Sequence, residues 1–399
     1  MKNISSDNTA TEGYDIPENE FGDDGILSNV YDLRWEQISD HGPAGEAAST
    51  GEDKGYPLEP HHYESLETAL DPVPDVIRSR NARGEERDNM VLGLSSYDTG
   101  AVSGFKPSGP AHFGHYQTAK TLHDLQEAGI EVYLPVADVE ALNDGYDQEH
   151  IDHTAADNLI DWGAAGLNLD QAHVYLQSEE ERLEDGKEQM GDHLTLEDAM
   201  DAYGMDKISE NPLFIPVGLN QVSDLVLPQH ESFGKNHSFM VSGSDQAGHM
   251  QMTRNLVEAA VSEDDTYIES VPGGLYCPEI KGLQVLDDTS KASSSVPDTS
   301  IYIGPAGSEL DLDARIEDGL AKIDSAEDAG SDQLERSTRD HLWVLGEDYT
   351  EDPIETLRNV LPEFLENHQE RRKAVAEYAQ ERAQGNDPSQ PDFWPENPN

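Results

Sequence analysis

Ala101-Val-Ser-Gly-Phe-Lys-Pro-Ser-Gly-Pro-Ala-His-Phe-Gly-His115 decides how this chain reads. Residues 101–105 are mostly small or apolar and suit a buried strand. Residues 115–128 place Ala119, Leu122, Leu125 and Ala128 near one face of a helix. Gly129 supplies a stop, and 130–137 is a continuous apolar run suited to a parallel strand covered on both faces. A second helix over 151–165, ended by Gly166, and a strand over 172–176 complete a β-α-β-α-β alternation. It predicts an α/β fold with a Rossmann-like, doubly wound parallel sheet. In the connecting loop Pro107 and Gly109 shape a turn, and Gly114 permits close backbone approach. His112 and His115 stand at the start of the following helix, whose unpaired N–H groups favour an anion.

Taken alone, those histidines also fit a capping or packing role. A metal site lacks a third ligand at sensible spacing, and no His-Glu-x-x-His helix is present. Nor is this a Walker loop, because Gly114 is followed by His-Tyr where Lys-Ser/Thr would stand. A second loop, Asp287-Asp-Thr-Ser-Lys-Ala-Ser-Ser-Ser-Val-Pro-Asp298, gives the first one meaning. Lys291 is a mobile point charge suited to phosphate oxygens. Ser293, Ser294 and Ser295 add hydroxyls and backbone donors. By itself this is a Ser-rich linker; with the first loop it suggests two elements closing on a nucleoside triphosphate.

The rest of the chain frames these loops. Residues 178–211 look like a charged helical insertion, 212–227 a buried helix, 237–242 a strand and 246–260 a helix. Residues 261–300 read as loops with a short strand or two. Helices are expected over 310–323, 334–345 and 354–382, the last carrying Leu357, Leu361, Phe364 and Leu365 as an apolar stripe. The expected organisation is an acidic, mobile arm (1–55), an extension (56–90), a catalytic domain (91–300) with a helical insertion near 178–235, a C-terminal helical domain (301–384) and a disordered tail (385–399). Arg78, Arg80, Arg83 and Arg87 read either as a solvated helix face or as a contact surface for an RNA end.

The 399 residues hold 82 Asp and Glu against 25 Lys and Arg, a formal charge of −57. The acids are spread along segments with clear apolar periodicity, so neither disorder nor acidic tails account for them. Adaptation to molar salt does, because the Debye length falls to roughly 3 Å at about 1 M and self-repulsion is screened. One cysteine, Cys277, excludes an intramolecular disulfide framework and a Cys-based zinc cage. No apolar run reaches the ~20 residues that span a bilayer, and the N-terminus has no signal-like apolar region. A cytoplasmic protein with neither membrane nor DNA as partner is expected.

The two loops resemble the paired signatures of class I aminoacyl-tRNA synthetases. The likeness, over roughly 90–385, is closest to the archaeal-type tryptophanyl-tRNA synthetases, haloarchaeal-like in charge. Met240-Val-Ser-Gly-Ser-Asp-Gln-Ala-Gly-His-Met-Gln-Met-Thr-Arg-Asn255 resembles that family's Gly-x-Asp-Gln segment, and Leu365-Glu-Asn-His-Gln-Glu-Arg-Arg-Lys-Ala-Val375 its last helix. The resemblance implies ATP-dependent activation of tryptophan and its transfer to tRNA(Trp), with Mg2+ accompanying ATP, by a homodimer. It implies that His112, His115 and Lys291 stabilise the transition state, and that Gly243 and Asp245 contact the ribose. Gln246 would hold the α-amino group, and Gln221 and Asp224 would face the side-chain pocket. Pro107, Gly109, Gly114 and Ser293–Ser295 would shape the ATP site, with no protein-held metal. Arg371, Arg372 and Lys373 would contact the tRNA, or serve only the helix dipole and solubility. Ala292 replaces the family's usual Met, and Ser294 its second Lys. Two alternatives stay open: a tyrosine–tRNA ligase, against which Val102 stands where tyrosyl enzymes commonly carry a tyrosine, and a paralogue that binds amino acid and ATP without charging tRNA. A generic nucleotidyltransferase of the same fold is a third.

Overall fold

The computed structural model describes residues 77–80, 86–89, 99–127, 129–196, 198–199, 214–243, 246–261, 266–268, 272–277, 280–286, 289–291, 299–305, 311–330, 334–347 and 350–395. The expected arm (1–55) and most of the extension (56–90) lie outside them. In chain order the elements are β1 (Ile77–Arg80), β2 (Glu86–Asn89), β3 (Thr99–Val102), α1 (Phe113–Glu127), β4 (Glu131–Val136), α2 (Asp138–Asn143), α3 (Gln148–Ala165) and β5 (Ala172–Leu176). Next come α4 (Arg182–Gly191), α5 (Phe214–Val226), β6 (His237–Gly243), α6 (Ala247–Val261), β7 (Gly273–Cys277), β8 (Lys281–Leu286) and β9 (Thr289–Lys291). The last are α7 (Leu312–Asp328), α8 (Leu334–Val344) and α9 (Pro353–Ala383).

The central sheet has the order β5-β4-β3-β6-β7, and every pair is parallel. All four residues of β3 are buried, as are all but the first of β4. Helices on both faces explain why these strands read as unbroken apolar runs. Winding proceeds outward from β3 to β4 and β5, then reverses to β6 and β7.

Local signals place the helices. In α1, Phe113, Tyr116, Ala119, Leu122 and Leu125 are buried at helical spacing. Gly129, at φ 80°, ends it: its N–H reaches the Gln126 carbonyl and that of Ile130 reaches Leu125. Asp147 caps α3 by accepting from the His150 N–H at 2.9 Å, and Gly166, at φ 119°, closes it.

Three expectations change. In the arginine-rich segment, 77–80 pairs antiparallel with 86–89, Arg78 opposite Asp88 and Arg80 opposite Glu86, so the described arginines stand on strands; Arg83 lies outside the described residues. Alternating charge at period two is a strand pattern. Among the described residues, the helices of 301–384 share the core of the sheet layer and do not form a separate one. Ile323, Leu342, Leu357, Leu361 and Leu365 share one cluster with Phe113, Leu122, Leu134 and Trp162, because each amphipathic helix covers apolar surface that the sheet layer leaves open. Finally, the described part of the expected disordered tail is docked. Trp394 is 5% exposed, donates from its indole to the Gly163 carbonyl at 2.9 Å and packs edge-on against Tyr378. Asn168 and Gln171 also donate to the Pro395 carbonyl, at 3.0 Å and 3.1 Å, and composition rich in Pro and Asn concealed these anchors.

Trp394→Ala removes a large buried side chain and one hydrogen bond, and should cost about 3 kcal/mol of stability. Urea unfolding in molar KCl, comparing midpoints at equal slope, measures it.

Candidate active site

Because β4 and β6 leave β3 on opposite sides, a crevice opens at the carboxyl ends of β3 and β6. It forms a cavity of about 420 Å³, in the size range of small-molecule sites. Backbone approach is close here. A side chain at Gly104 would bring its Cβ within 2.2 Å of the Pro135 carbonyl oxygen, so glycine alone lets the chain leave β3 against β4. At Gly114 a Cβ would lie 2.9 Å from His112 Cε1.

His112 and His115 line one wall, with ring centroids 4.2 Å apart. His112 Nδ1 accepts from the Gly114 N–H at 3.0 Å, and His115 Nδ1 accepts from the His112 N–H at 3.2 Å. With each Nδ1 accepting, the proton of the neutral ring sits on Nε2. The loop's own backbone therefore sets the tautomer of both imidazoles and makes each an N–H donor.

The same cavity holds carboxylates and amides. Asp224 is buried; the Tyr175 hydroxyl donates to its Oδ1 at 2.8 Å and Gln177 Nε2 to its Oδ2 at 2.5 Å. Burial raises its pKa to about 7 against the opposing pull of both bonds. Burial, then the Asp224 charge, holds the Tyr175 hydroxyl well above its ordinary value. Lys106 Nζ bridges Glu140 Oε1 at 3.1 Å and Asp144 Oδ2 at 2.7 Å. Burial lowers the Lys106 pKa, but the two carboxylates outweigh it and hold the group above its usual value. Gln221 Nε2 donates to Glu140 Oε2 at 3.4 Å.

Of the residues expected from sequence, His112, Gly114, His115, Gln221, Asp224, Gly243 and Gln246 meet in this one cavity. Pro107 and Gly109 are buried in the loop behind the histidines, where Asn158 Nδ2 donates to the Gly109 carbonyl at 3.2 Å. Lys291 ends β9 opposite Lys281, whose neighbour Ile280 lines the cavity, so the chain leaves β9 at the cavity's margin. Asp245, Ala292 and Ser293–Ser295 lie outside the described residues. Arg372 is 6% exposed and paired with Asp161 and, at 3.2 Å, with Asp157, so in this structure it joins α9 to α3. Arg371 lies over the Phe393 ring at 4.1 Å, and exposed Lys373 pairs with Glu370 at 2.6 Å.

Sequence reasoning assigned no role to Lys106, Glu140, Tyr175 or Gln177. In a chain this acidic Glu140 carries no distinguishing mark. Gln177 had a usable signal, standing just past the carboxyl end of β5. Among the described residues the cavity offers no carboxylate cluster to a magnesium ion. Glu140 is engaged by Lys106 and Gln221, and Asp224 by Tyr175 and Gln177. Any such ion would arrive as the counter-ion of a nucleotide.

A switch-point cavity that holds paired imidazole donors together with carboxylates and amides defines an α/β protein built around a nucleotide-type site. Residues 96–311 match the family model described as tRNA synthetases class I (W and Y), and the chain belongs to that family. The tryptophan–tRNA ligase of Methanopyrus kandleri is 30% identical over 225 residues, covering 53% of this chain and 55% of that protein. A tyrosine–tRNA ligase of Halobacterium salinarum is 46% identical over only 76 residues, 19% of this chain and 23% of that one. In fold the chain is similar to the crystal structure of tryptophanyl-tRNA synthetase from Aeropyrum pernix K1, with a TM-score of 0.55 at 21% identity over 71% of this chain and 80% of that one. The chain spans about half the length of the curated tryptophan ligases it matches.

The raised pKa of Asp224 has a defined sign. The folded chain holds this proton more tightly than the unfolded one. The stabilising contribution is therefore full below the ordinary carboxylate value of 3.8, shrinks as pH rises, and is gone above about 7. Asp224→Asn should flatten that part of the profile, so that the variant loses less stability than the parent between pH 5 and pH 8, on the order of 1 kcal/mol or more. Urea midpoints at the two pH values in molar KCl measure the difference.

Proposed function

We propose that this protein is a tryptophan–tRNA ligase, activating tryptophan with ATP and transferring it to tRNA(Trp). The observation that carries the reading is the meeting, in one switch-point cavity, of two Nε2–H donors with a carboxylate–amide wall. In the first step a carboxylate oxygen of tryptophan attacks the α-phosphorus of ATP. The bond from that phosphorus to the bridging oxygen breaks, and pyrophosphate leaves with the electron pair. The attacking carboxylate is already ionised, so no general base is needed and stabilisation of charge dominates. In this reading His112, His115 and Lys291 donate to the phosphoryl oxygens as charge shifts onto them. Gln246, with Glu140 nearby in the cavity, receives the α-ammonium group, and Gln221 faces the side-chain pocket. Asp224 accepts from the indole N–H, which offers a buried carboxylate a further donor. Gly243 and Asp245 take the ribose. Magnesium, when bound to ATP, neutralises phosphate charge.

A homodimer, a cytoplasmic location and molar-salt adaptation belong to the same proposal. The formal charge of −57 supports the last. A tyrosine substrate is the second reading, favoured by Asp224 as an acceptor for a phenol; Val102 in the cavity wall, with no hydroxyl to share that task, weighs against it.

ATP–pyrophosphate exchange with all twenty amino acids in molar potassium chloride tests the assignment. Tryptophan alone should support exchange, and preference for tyrosine would transfer the assignment to the second reading. Tryptophan binding without exchange would mean a sensor. Lys291→Ala should lower the exchange rate by on the order of 10²-fold with little change in tryptophan affinity. Dilution to about 0.1 M salt should abolish activity as the Debye length lengthens to roughly 10 Å; full activity there would rule out the salt adaptation.

A further inference from the structure

The catalytic loops do not stand alone; a short segment behind them is held on both sides. His112 forms an antiparallel bridge with Tyr302, and the Ile303 N–H donates to the Ala111 carbonyl at 2.9 Å. The chain carrying Lys291 thus returns, a few residues later, to bond directly with the histidine loop. On its other side that segment meets buried charge. Arg315 of α7 is 3% exposed; it donates through Nη1 to the Ile303 carbonyl and through Nη2 to Gln369 of α9 at 2.5 Å. Asp161 of α3 is 1% exposed, and its Oδ1 accepts from Arg372 and from His368 Nε2, the latter at 3.0 Å. Its Oδ2 has no hydrogen-bond donor and lies where a side chain at residue 304 would have to be, 1.8 Å from the Cβ position of Gly304. Burial lowers the His368 pKa, the Asp161 bond opposes it, and the arginine charges lower it further, so Arg372 is the cation that balances Asp161.

We propose that Asp161 and Arg315 are positioning residues for the adenylation step. They clamp segment 302–304, and through it set the register of His112 and the anchor of the Lys291 loop. A buried carboxylate is costly unless paired, and apolar packing would have filled this space at lower cost. What charge adds is direction. Two forked guanidinium groups and one carboxylate admit a single arrangement of α3, α7, α9 and the segment between them. The neighbour of Asp161 in α3, Trp162, lines the cavity, and Asn158 one turn earlier holds the Gly109 carbonyl. The same helix face thus touches the cavity, the histidine loop and the clamped segment. Neither residue of the clamp lines the cavity, so the effect is transmitted through backbone bonds to Ala111 and His112.

The inference rests on the adenylation reading, and its test separates the two. Wild-type protein in molar KCl is assayed for tryptophan-dependent ATP–pyrophosphate exchange beside Asp161→Asn, Arg315→Lys and Leu357→Val. Asp161→Asn keeps the shape and removes the charge. Arg315→Lys keeps the charge and loses the fork, so it serves if Asp161→Asn does not fold. Leu357→Val loosens the shared core away from the clamp and calibrates the effect of instability alone. In the clamp variants kcat should fall at least tenfold, with KM for tryptophan within about twofold, and the fall in kcat should exceed what the drop in melting temperature accounts for on the line set by wild type and Leu357→Val. Unchanged kcat in both clamp variants would overturn the inference, as would losses that track melting temperature along the same line as Leu357→Val. Absence of exchange with every amino acid in the wild type would overturn the adenylation reading itself. The clamp would then be tested by tryptophan and ATP titration, where loss of ATP affinity alone in Arg315→Lys supports it and equal affinity sinks it.

Discussion

The bonds between the Ala111–His112 backbone and the Tyr302–Ile303 backbone are the constraint on which the site depends. They join two stretches of chain nearly two hundred residues apart. One leaves β3 and begins α1; the other follows the Lys291 loop and leads into α7. Without that junction the imidazoles would sit on a turn tethered at one end. With it, the loop is stitched to the sheet at Gly104, to α3 at Gly109 and to the returning chain at Ala111. The histidine tautomers follow, because the same backbone supplies the N–H groups that occupy Nδ1.

The sheet is responsible for the site's location and the loops for its chemistry. Reversal of winding at β3 opens the crevice, and any ligand placed there meets the carboxyl ends of β3 and β6. The polar residues then bring the imidazole donors together with Asp224, Glu140 and amide groups in one cavity. Asp224 is the tuned element, near neutrality because burial outweighs two hydrogen bonds.

Much of this was legible in the residues. Periodicity located β4, α1, α3 and α9, because elements covered on both faces or along one stripe carry their burial in the order of apolar residues. The cavity wall was legible at His112, His115, Gln221 and Asp224 through resemblance, since spacing alone left the histidines as cap or packing. The pairing of Arg372 was missed because a run of three cations looks alike whether it meets solvent or a buried Asp161 more than two hundred positions away. Trp394 was missed for a related reason: two adjacent aromatics, Phe393 and Trp394, in a Pro-rich tail have no period. Glu140 and Lys106 were hidden by the acidity of the chain, where any lysine finds a carboxylate. What sequence does not encode locally is pairing across the fold, and the errors fall there.

The shared core also constrains how the protein can be made. Phe113, Leu122 and Trp162 emerge from the ribosome long before Leu357, Leu361 and Leu365, the residues that cover the same cluster. For most of translation the nascent sheet and its first helices therefore carry an apolar flank with nothing to seal it. That flank is the part of the unfinished chain most open to aggregation, and the late-arriving α9 is the element that closes it.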